Sequence, residues 1–141
     1  MPIFTLDPRL AQDSLQVTDL GLCQLRLSRD ARYPWAILIP RRPEVIELYH
    51  LETEEQAQLW REGTRLGEAM MRHYAGDKLN VATLGNMVPQ LHLHVIVRTR
   101  GDDAWPGPVW GQGEARAYTE ADLETRRGEL ERLAREAGLL A

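Results

Sequence analysis

The segment Pro89-Gln90-Leu91-His92-Leu93-His94-Val95-Ile96-Val97 alternates polar and apolar side chains. Successive side chains of a β-strand point to opposite faces, so the polar residues share one face and the apolar residues share the other. The polar face carries Gln90, His92 and His94, spaced by about 7 Å along the strand. We predict a strand over Leu91–Val97, with the core on one side and a row of polar side chains on the other.

Three interpretations of this polar row remain open from the residues alone. The first is exposure to water, because two histidines and a glutamine are ordinary on a solvent-facing strand. The second is a metal site, because His92 and His94 can present two imidazoles to one ion, although the following Val95–Arg98 supplies no third ligand. The third is catalysis, because a buried polar group needs a partner or a ligand, and imidazole is a nucleophile near neutral pH.

The rest of the chain predicts an α+β fold with an antiparallel β-sheet. Alternation and turn residues indicate four further strands, at Leu15–Asp19, Leu22–Leu27, Trp35–Ile39 and Leu79–Thr83. A capping-box pattern at Thr53 and Gln56, followed by apolar residues at helical spacing, predicts one long helix that runs to Gly76. A C-terminal helix is expected from Thr119, after an irregular segment over Gly101–Gly113. Strands and helices do not alternate regularly, which favours α+β over α/β.

Some residues outside these motifs have structural interpretations. Gly63 and Gly67 lie four residues apart in the long helix, where they indicate either close packing or simple tolerance. Arg98 leaves the histidine strand and is interpreted chiefly as a surface residue. Trp105 and Trp110 are expected to pack against the protein rather than to bind a base.

Composition limits the class of protein. A length of 141 residues, with 43% hydrophobic and 27% charged residues, predicts a single globular domain over residues 1–141. The formal net charge of −4, without a basic run, argues against nucleic acid as a partner. Cys23 is the only cysteine, which excludes an intrachain disulfide and fits a reducing compartment. Because Met1–Leu10 has no signal pattern and no apolar stretch could span a membrane, we expect a cytoplasmic protein.

The histidine segment resembles the signature of the histidine triad (HIT) family, His-φ-His-φ-His-φ-φ, in which φ is an apolar residue. The stretch Gln90-Leu91-His92-Leu93-His94-Val95-Ile96 fits six of its seven places. Asn80 on the preceding strand and Gly85-Asn86-Met87-Val88 in the turn are similar to that family's phosphate-binding segment. The resemblance extends over about Trp35–Arg98.

This resemblance implies a HIT-like fold, a homodimer, and an activity on a purine nucleotide or nucleotide conjugate. As the central residue of the signature, His92 would attack the α-phosphorus and form a nucleotidyl-histidine intermediate, which water would hydrolyse. His94, Gln90, Asn86 and Asn80 would bind the substrate, chiefly at its phosphate. The mechanism that the resemblance implies requires no metal and no cofactor.

Two positions depart from the signature. Gln90 takes the place of the first histidine and cannot exchange a proton near neutral pH. Met87 stands where many members of the family carry a hydroxyl residue that helps to protonate the leaving group. Two alternatives to a nucleotide hydrolase or nucleotidyltransferase therefore stay open. One is a nucleotide-binding or regulatory module with slow turnover, and the other is a metal-binding protein that uses His92 and His94.

Overall fold

The computed structural model describes residues 2–141. Its elements, in chain order, are α1 (Pro8–Asp13), β1 (Ser14–Asp19), β2 (Cys23–Ser28), β3 (Trp35–Pro40), a 3₁₀ helix (Leu48–His50), α2 (Thr53–His73), β4 (Lys78–Ala82), β5 (Leu93–Arg98) and α3 (Glu120–Glu136). The fold is α+β with an antiparallel sheet, as the sequence predicts. Within this described part of the chain, no helix combines the length and the apolar character needed to cross a membrane.

Strand β5 lies inside the sheet. The five strands are ordered β1-β2-β3-β5-β4, and every neighbouring pair is antiparallel. On β5, His94 pairs with Ile37 of β3 on one side and with Ala82 of β4 on the other. Backbone pairing on both sides therefore fixes the position of the histidine motif at its C-terminal end.

Helices α2 and α3 cover one face of the sheet. The core between them includes Leu25, Leu38, Leu59, Leu66, Met70, Leu93, Val95 and Leu130. A Cβ atom at Gly63 would lie 2.6 Å from Cδ2 of Leu93, and one at Gly67 would lie 2.5 Å from Cδ2 of Leu79. Both glycines let α2 approach β4 and β5 closely, so close packing is the interpretation of these two residues that the structure supports.

The opposite face of the sheet is covered by two segments that are largely irregular. The segment after β5 packs on it in a cluster of Tyr33, Ile96, Ala104 and Val109, with Trp35 and Trp110. The N-terminal segment packs on it in a cluster of Leu10, Ile37 and Ile39, with Phe4, Leu6, Trp35 and Val88. Under this cover His92, His94 and Arg98 are 4%, 5% and 2% exposed. Solvent exposure is therefore the wrong interpretation for the two histidines, and Arg98 is not a surface residue.

Strand β5 begins at Leu93, two residues later than predicted. The reason is that the main-chain N–H of Leu91 donates to the carbonyl of Val45, outside the sheet, at 2.9 Å. Gln90 and His92 consequently lie in the connection that leads into the strand. His92 is positioned by this connection, and only His94 by the sheet itself.

The helix boundaries also differ from the prediction. Helix α2 does begin at Thr53, but its capping box lies one residue earlier than expected, with Glu55 Oε1 accepting from the main-chain N–H of Glu52 at 3.1 Å. It ends at His73 rather than Gly76, because Ala75 adopts a left-handed backbone conformation with φ 51°.

The sequence does not predict helix α1. It has only six residues, which is too short for helical periodicity to show in the sequence. It is started by the side chain of Asp7, which accepts from the main-chain N–H of Arg9, and by Pro8 in its first turn.

Candidate active site

One ring nitrogen of His92, Nδ1, makes a hydrogen bond, and the other, Nε2, is free to act as a nucleophile. Its Nδ1 lies 2.7 Å from the main-chain carbonyl oxygen of Gln90. A carbonyl oxygen only accepts hydrogen bonds, so Nδ1 carries the proton and donates it. In the neutral ring Nε2 then holds the free lone pair, which is the form that acts as a nucleophile.

Gly85 lies directly against this ring. A Cβ atom at position 85 would lie 2.2 Å from Cε1 and 2.6 Å from Nε2 of His92. No side chain fits there unless the ring moves. The turn that contains Gly85 is closed by a hydrogen bond from the N–H of Val88 to the Gly85 carbonyl, at 3.1 Å. The glycine thus lets the turn backbone approach the edge of the ring that carries Nε2.

His94 has both ring nitrogens occupied. Its Nδ1 accepts from the indole N–H of Trp35 at 2.9 Å, and its Nε2 donates to the carbonyl oxygen of Leu84 at 2.9 Å. Burial, and to a smaller extent the neighbouring His92, lower the pKa of His94 to about 4, although the hydrogen bond to Leu84 acts in the opposite direction. His94 is therefore neutral near pH 7. Its hydrogen bond fixes the position of Leu84, the residue before Gly85.

Aromatic rings surround His94 on the covered face of the sheet. The ring centroid of His94 lies 5.6 Å from that of Trp35, 5.0 Å from that of Trp110 and 4.9 Å from that of His92. All three pairs are in edge-to-face arrangements. Trp110 comes from the irregular segment after β5, so this segment packs against the ring of His94. The sequence does not indicate either tryptophan as part of the site, because no local pattern relates Trp35 to a residue 59 positions away.

A cavity of about 280 Å³ opens beside His92. It is lined by Ile46, Glu47, Thr83, Gly85, Asn86, Val88, Pro89, Gln90, Leu91 and His92. The structure therefore brings together three of the residues singled out from the sequence, namely Gln90, Asn86 and His92. His94 and Asn80 lie outside the lining. Glu47 is an acidic member of the lining that the sequence did not indicate.

Asn80 belongs to a buried charged network. Its Oδ1 accepts from Nη1 of Arg98 at 2.9 Å, and Nε and Nη2 of Arg98 donate to Asp102 at 2.8 and 3.0 Å. The guanidinium also lies over the rings of Tyr33 and Trp105, at 5.4 and 5.9 Å from their centroids. This network ties β4 and β5 to the segment after β5.

The side chain of Gln90 contacts the N-terminal segment. Its Oε1 accepts from the main-chain N–H of Asp7 at 2.8 Å, and its Nε2 donates to the carbonyl oxygen of Thr5 at 2.9 Å. The neighbouring Met87 is 75% exposed, and its carbonyl accepts from the guanidinium of Arg9. These contacts join the start of the chain to the turn that holds His92.

A larger cavity of about 710 Å³ lies elsewhere, between α2 and α3. Its charged lining residues are largely paired with one another, as in Arg72–Glu68 and Arg132–Glu136. It contains none of the residues of the histidine motif. The smaller cavity beside His92 is therefore the better candidate for a site of chemistry.

The chain is similar to known histidine triad proteins over most of its length. The HIT domain family profile matches residues 9–101. A crystal structure of a histidine triad protein from Marinobacter aquaeolei is 46% identical with a TM-score of 0.93, covering 96% of this chain and 99% of that one. A histidine triad protein from Bradyrhizobium japonicum is 42% identical, with a TM-score of 0.90 and coverage of 93% and 98%.

A third structure, a histidine triad protein from Sinorhizobium meliloti, is 42% identical, with a TM-score of 0.89 and coverage of 92% of this chain and 96% of that one. Among curated proteins, none matches the chain at a significant level. The match of the HIT profile, the likeness to these three structures and the shared α+β architecture lead to one conclusion: the chain belongs to the HIT domain family.

Proposed function

We propose that the protein is a nucleotide hydrolase or nucleotidyltransferase, in which Nε2 of His92 attacks the α-phosphorus of a purine nucleotide derivative. The observation that carries this proposal is the hydrogen bond between Nδ1 of His92 and the carbonyl of Gln90, at 2.7 Å. It directs the lone pair of the neutral ring to Nε2. Membership of the HIT family supports the choice of a nucleotide as substrate.

The reaction has two steps. In the first, the Nε2 lone pair forms a bond to phosphorus while the bond to the leaving group breaks, and the leaving group departs with the electron pair. The imidazolium of the resulting nucleotidyl-histidine is stabilised through its Nδ1 proton by the Gln90 carbonyl. In the second, the oxygen of water or of another hydroxyl acceptor forms a bond to phosphorus as the P–N bond breaks. The electron pair of that bond returns to Nε2, and the proton of the acceptor passes to solvent.

Uncharged hydrogen-bond donors of the turn at Gly85 and Asn86 would stabilise the negative charge on the phosphate. Lys and Arg are absent from the described lining of the cavity. Gly85 and Asn86 line it, and in residues 2–141 their main-chain N–H groups donate no hydrogen bond. Together with the Asn86 side chain they are suited to bind the phosphate oxygens. His94, whose Nε2 already donates to Leu84, and Asn80, bound to Arg98, would act on the substrate through the positions of their neighbours.

The leaving group should need no proton from the protein. Gln90 cannot donate a proton as an acid does, and Met87 has no hydroxyl. Esters of AMP with an acidic phenol should therefore react much faster than esters with a simple alcohol. The test is the rate of AMP release from 4-nitrophenyl and ethyl esters. It is measured for the wild type, for His92→Asn, and for His73→Asn as a control at a remote histidine.

The proposal predicts that His92→Asn loses activity by about 1000-fold or more, since it removes the nucleophile. His73→Asn should keep the wild-type rate, because His73 pairs with Glu129 near the end of α2. Equal rates for His92→Asn and the wild type would reject the nucleophilic role.

A nucleotide-binding module with slow turnover is the second candidate. The observation that favours it is the side chain of Gln90, which is bound to Thr5 and Asp7 and provides no proton relay. AMP that binds in calorimetry without turnover of any ester would favour this candidate. A metal site at His92 and His94 is less well supported. Both ring nitrogens of His94 are occupied, and residues 2–141 contain no group of three or more suitable ligands.

We also propose, from family membership, that the protein acts as a homodimer in the cytoplasm. Its one cysteine, Cys23, is a buried free thiol, which suits a reducing compartment. Light scattering should give twice the 16.1 kDa of one chain. A mass equal to one chain would contradict the dimer.

A further inference from the structure

Gln90 makes two kinds of contact, one through its side chain and one through its backbone. The side-chain amide binds main-chain groups of Asp7 and Thr5, which are 83 and 85 positions away in the sequence. The main-chain carbonyl accepts the Nδ1 proton of His92. One residue therefore links the N-terminal segment to the ring that carries the reactive nitrogen.

The side-chain contacts of Gln90 require an amide. Asp7 offers a main-chain N–H, which can only donate, and Thr5 offers a carbonyl oxygen, which can only accept. The carboxylate of a glutamate could accept from Asp7 but would repel the carbonyl of Thr5. A methionine of similar length could make neither bond. These two partners also fix which end of the Gln90 amide is oxygen.

The N-terminal segment is a firm anchor for this amide. Phe4 and Leu6 pack against the cluster that contains Ile37 and Ile39 of β3. The segment then continues into α1, whose Leu10 is 5% exposed. Since β3 lies beside β5 in the sheet, the segment holds Gln90 at a fixed distance from the strand that follows His92.

We propose that Gln90 is a positioning residue for His92: the segment Thr5–Asp7 holds its side chain, so that its main-chain carbonyl keeps the proton of His92 on Nδ1 and leaves Nε2 free. Its consequence for catalysis rests on the proposed function, but its effect on the His92 tautomer does not. On this account the glutamine replaces proton exchange at the first triad position by a structural link.

The proposal is tested with two pairs of variants. Gln90→Met removes both side-chain hydrogen bonds at similar length, and Gln90→Glu keeps only the acceptor for Asp7. Asp7→Pro removes the N–H that Gln90 accepts from, and the φ of −58° at Asp7 suits proline. Asp7→Ala is its matched control, because both changes remove the capping carboxylate but only proline removes the N–H.

The first readout is the tautomer of His92 in the ligand-free protein, measured by ¹⁵N NMR and assigned by comparison with His92→Asn. The wild type and Asp7→Ala should show protonated Nδ1 and unprotonated Nε2. Gln90→Met and Asp7→Pro should show a mixture of the two tautomers. An unchanged His92 tautomer in both of these variants, with intact folding by circular dichroism, would overturn the proposal.

The second readout is the single-turnover rate of nucleotidyl transfer to His92. Misorientation of a reacting group by about 1 Å costs on the order of 100-fold in rate, so Gln90→Met should slow this step by about 10- to 100-fold with KM little changed. Gln90→Glu should lie between Gln90→Met and the wild type. A wild type that has the expected tautomer but transfers no nucleotide would contradict the proposed function and leave the positioning role supported.

Discussion

The indole N–H of Trp35 donates to Nδ1 of His94 at 2.9 Å, and this bond determines which nitrogen of His94 faces the turn. Because Trp35 can only donate, Nδ1 of His94 must accept, and its proton lies on Nε2, where it binds the carbonyl of Leu84. Leu84 precedes Gly85, which lies against His92. A chain of contacts thus runs from β3 through His94, Leu84 and Gly85 to the ring of His92.

Replacing Trp35 by Phe should weaken the fold. The change leaves Nδ1 of His94 buried without a donor, which costs about 1–3 kcal/mol of the free energy of unfolding. Urea unfolding followed by circular dichroism measures it. The control is Trp60→Phe, at a position on α2 that is 42% exposed and should change stability by less than about 0.5 kcal/mol. Equal effects of the two changes would contradict a structural role for the Trp35–His94 bond.

Acid should destabilise the protein through His94. Its pKa falls to about 4 in the folded chain, from an unfolded value near 6.5, so the folded state binds fewer protons between these values. The stability that the neutral His94 contributes is fully present above about pH 6.5 and is lost as the pH falls toward 4. The total loss in the free energy of unfolding is at most about 3 kcal/mol.

Urea unfolding at several pH values between 7.5 and 4.5 measures this dependence. His94→Gln is the comparison, because it removes the titrating group and keeps polar atoms. The variant should lose much of the slope between pH 6.5 and 4.5. An identical slope in the two proteins would assign the acid sensitivity to other groups.

Gly85→Ala should impair the site. The new methyl group would lie 2.2 Å from Cε1 of His92, so the ring must rotate away from its bond to Gln90. We expect nucleotidyl transfer to fall by about 100-fold, which is the cost of misplacing a reacting group. Gly128→Ala is a matched control, since a Cβ there meets no atom within 4 Å. It lies inside α3 and should stabilise the protein by about 0.5–1 kcal/mol without slowing the reaction.

The buried ion pair of Arg98 and Asp102 should contribute more to the free energy of unfolding than the exposed pair of Asp103 and Arg116. Their side chains are 2% and 7% exposed, and the Arg98 guanidinium holds the pKa of Asp102 below its usual value. Asp102→Ala leaves a buried charge without its partner and should cost about 3–5 kcal/mol. Asp103→Ala breaks a pair with Arg116 whose side chains are 51% and 62% exposed, and it should cost less than about 1 kcal/mol. Thermal or urea unfolding compares them, and similar losses would contradict the buried role of Asp102.

Much of the fold could be predicted from local patterns. Alternation in the histidine segment correctly assigned Leu93 and Val95 to the core, and helical spacing located α2 and α3. Short elements such as α1 could not be predicted, because six residues are too few to show helical periodicity. The start of β5 was misplaced because Leu91 bonds to Val45, a contact between segments that no local pattern reveals.

The site could be predicted only in part. His92, Gln90 and Asn86 were singled out from the sequence and line one cavity. Irregular segments make the contacts that position the site residues: the main chain of Thr5 binds Gln90, and Trp110 packs against His94. A main-chain partner leaves no signature in residue types. The burial of Arg98 could not be foreseen from a strand that ends in an arginine, because the irregular segment after β5 brings Asp102 and Trp105 against its guanidinium.

In the proposed reaction, His92 carries the nucleotide as a covalent intermediate. The most direct measurement is mass spectrometry of the protein quenched during turnover of the 4-nitrophenyl ester of AMP, followed by mapping of the modified peptide. We expect an adenylyl group on His92 in the wild type and none in His92→Asn. Turnover without any adduct on the quenched protein, or an adduct on a different residue that persists in His92→Asn, would contradict this role of His92.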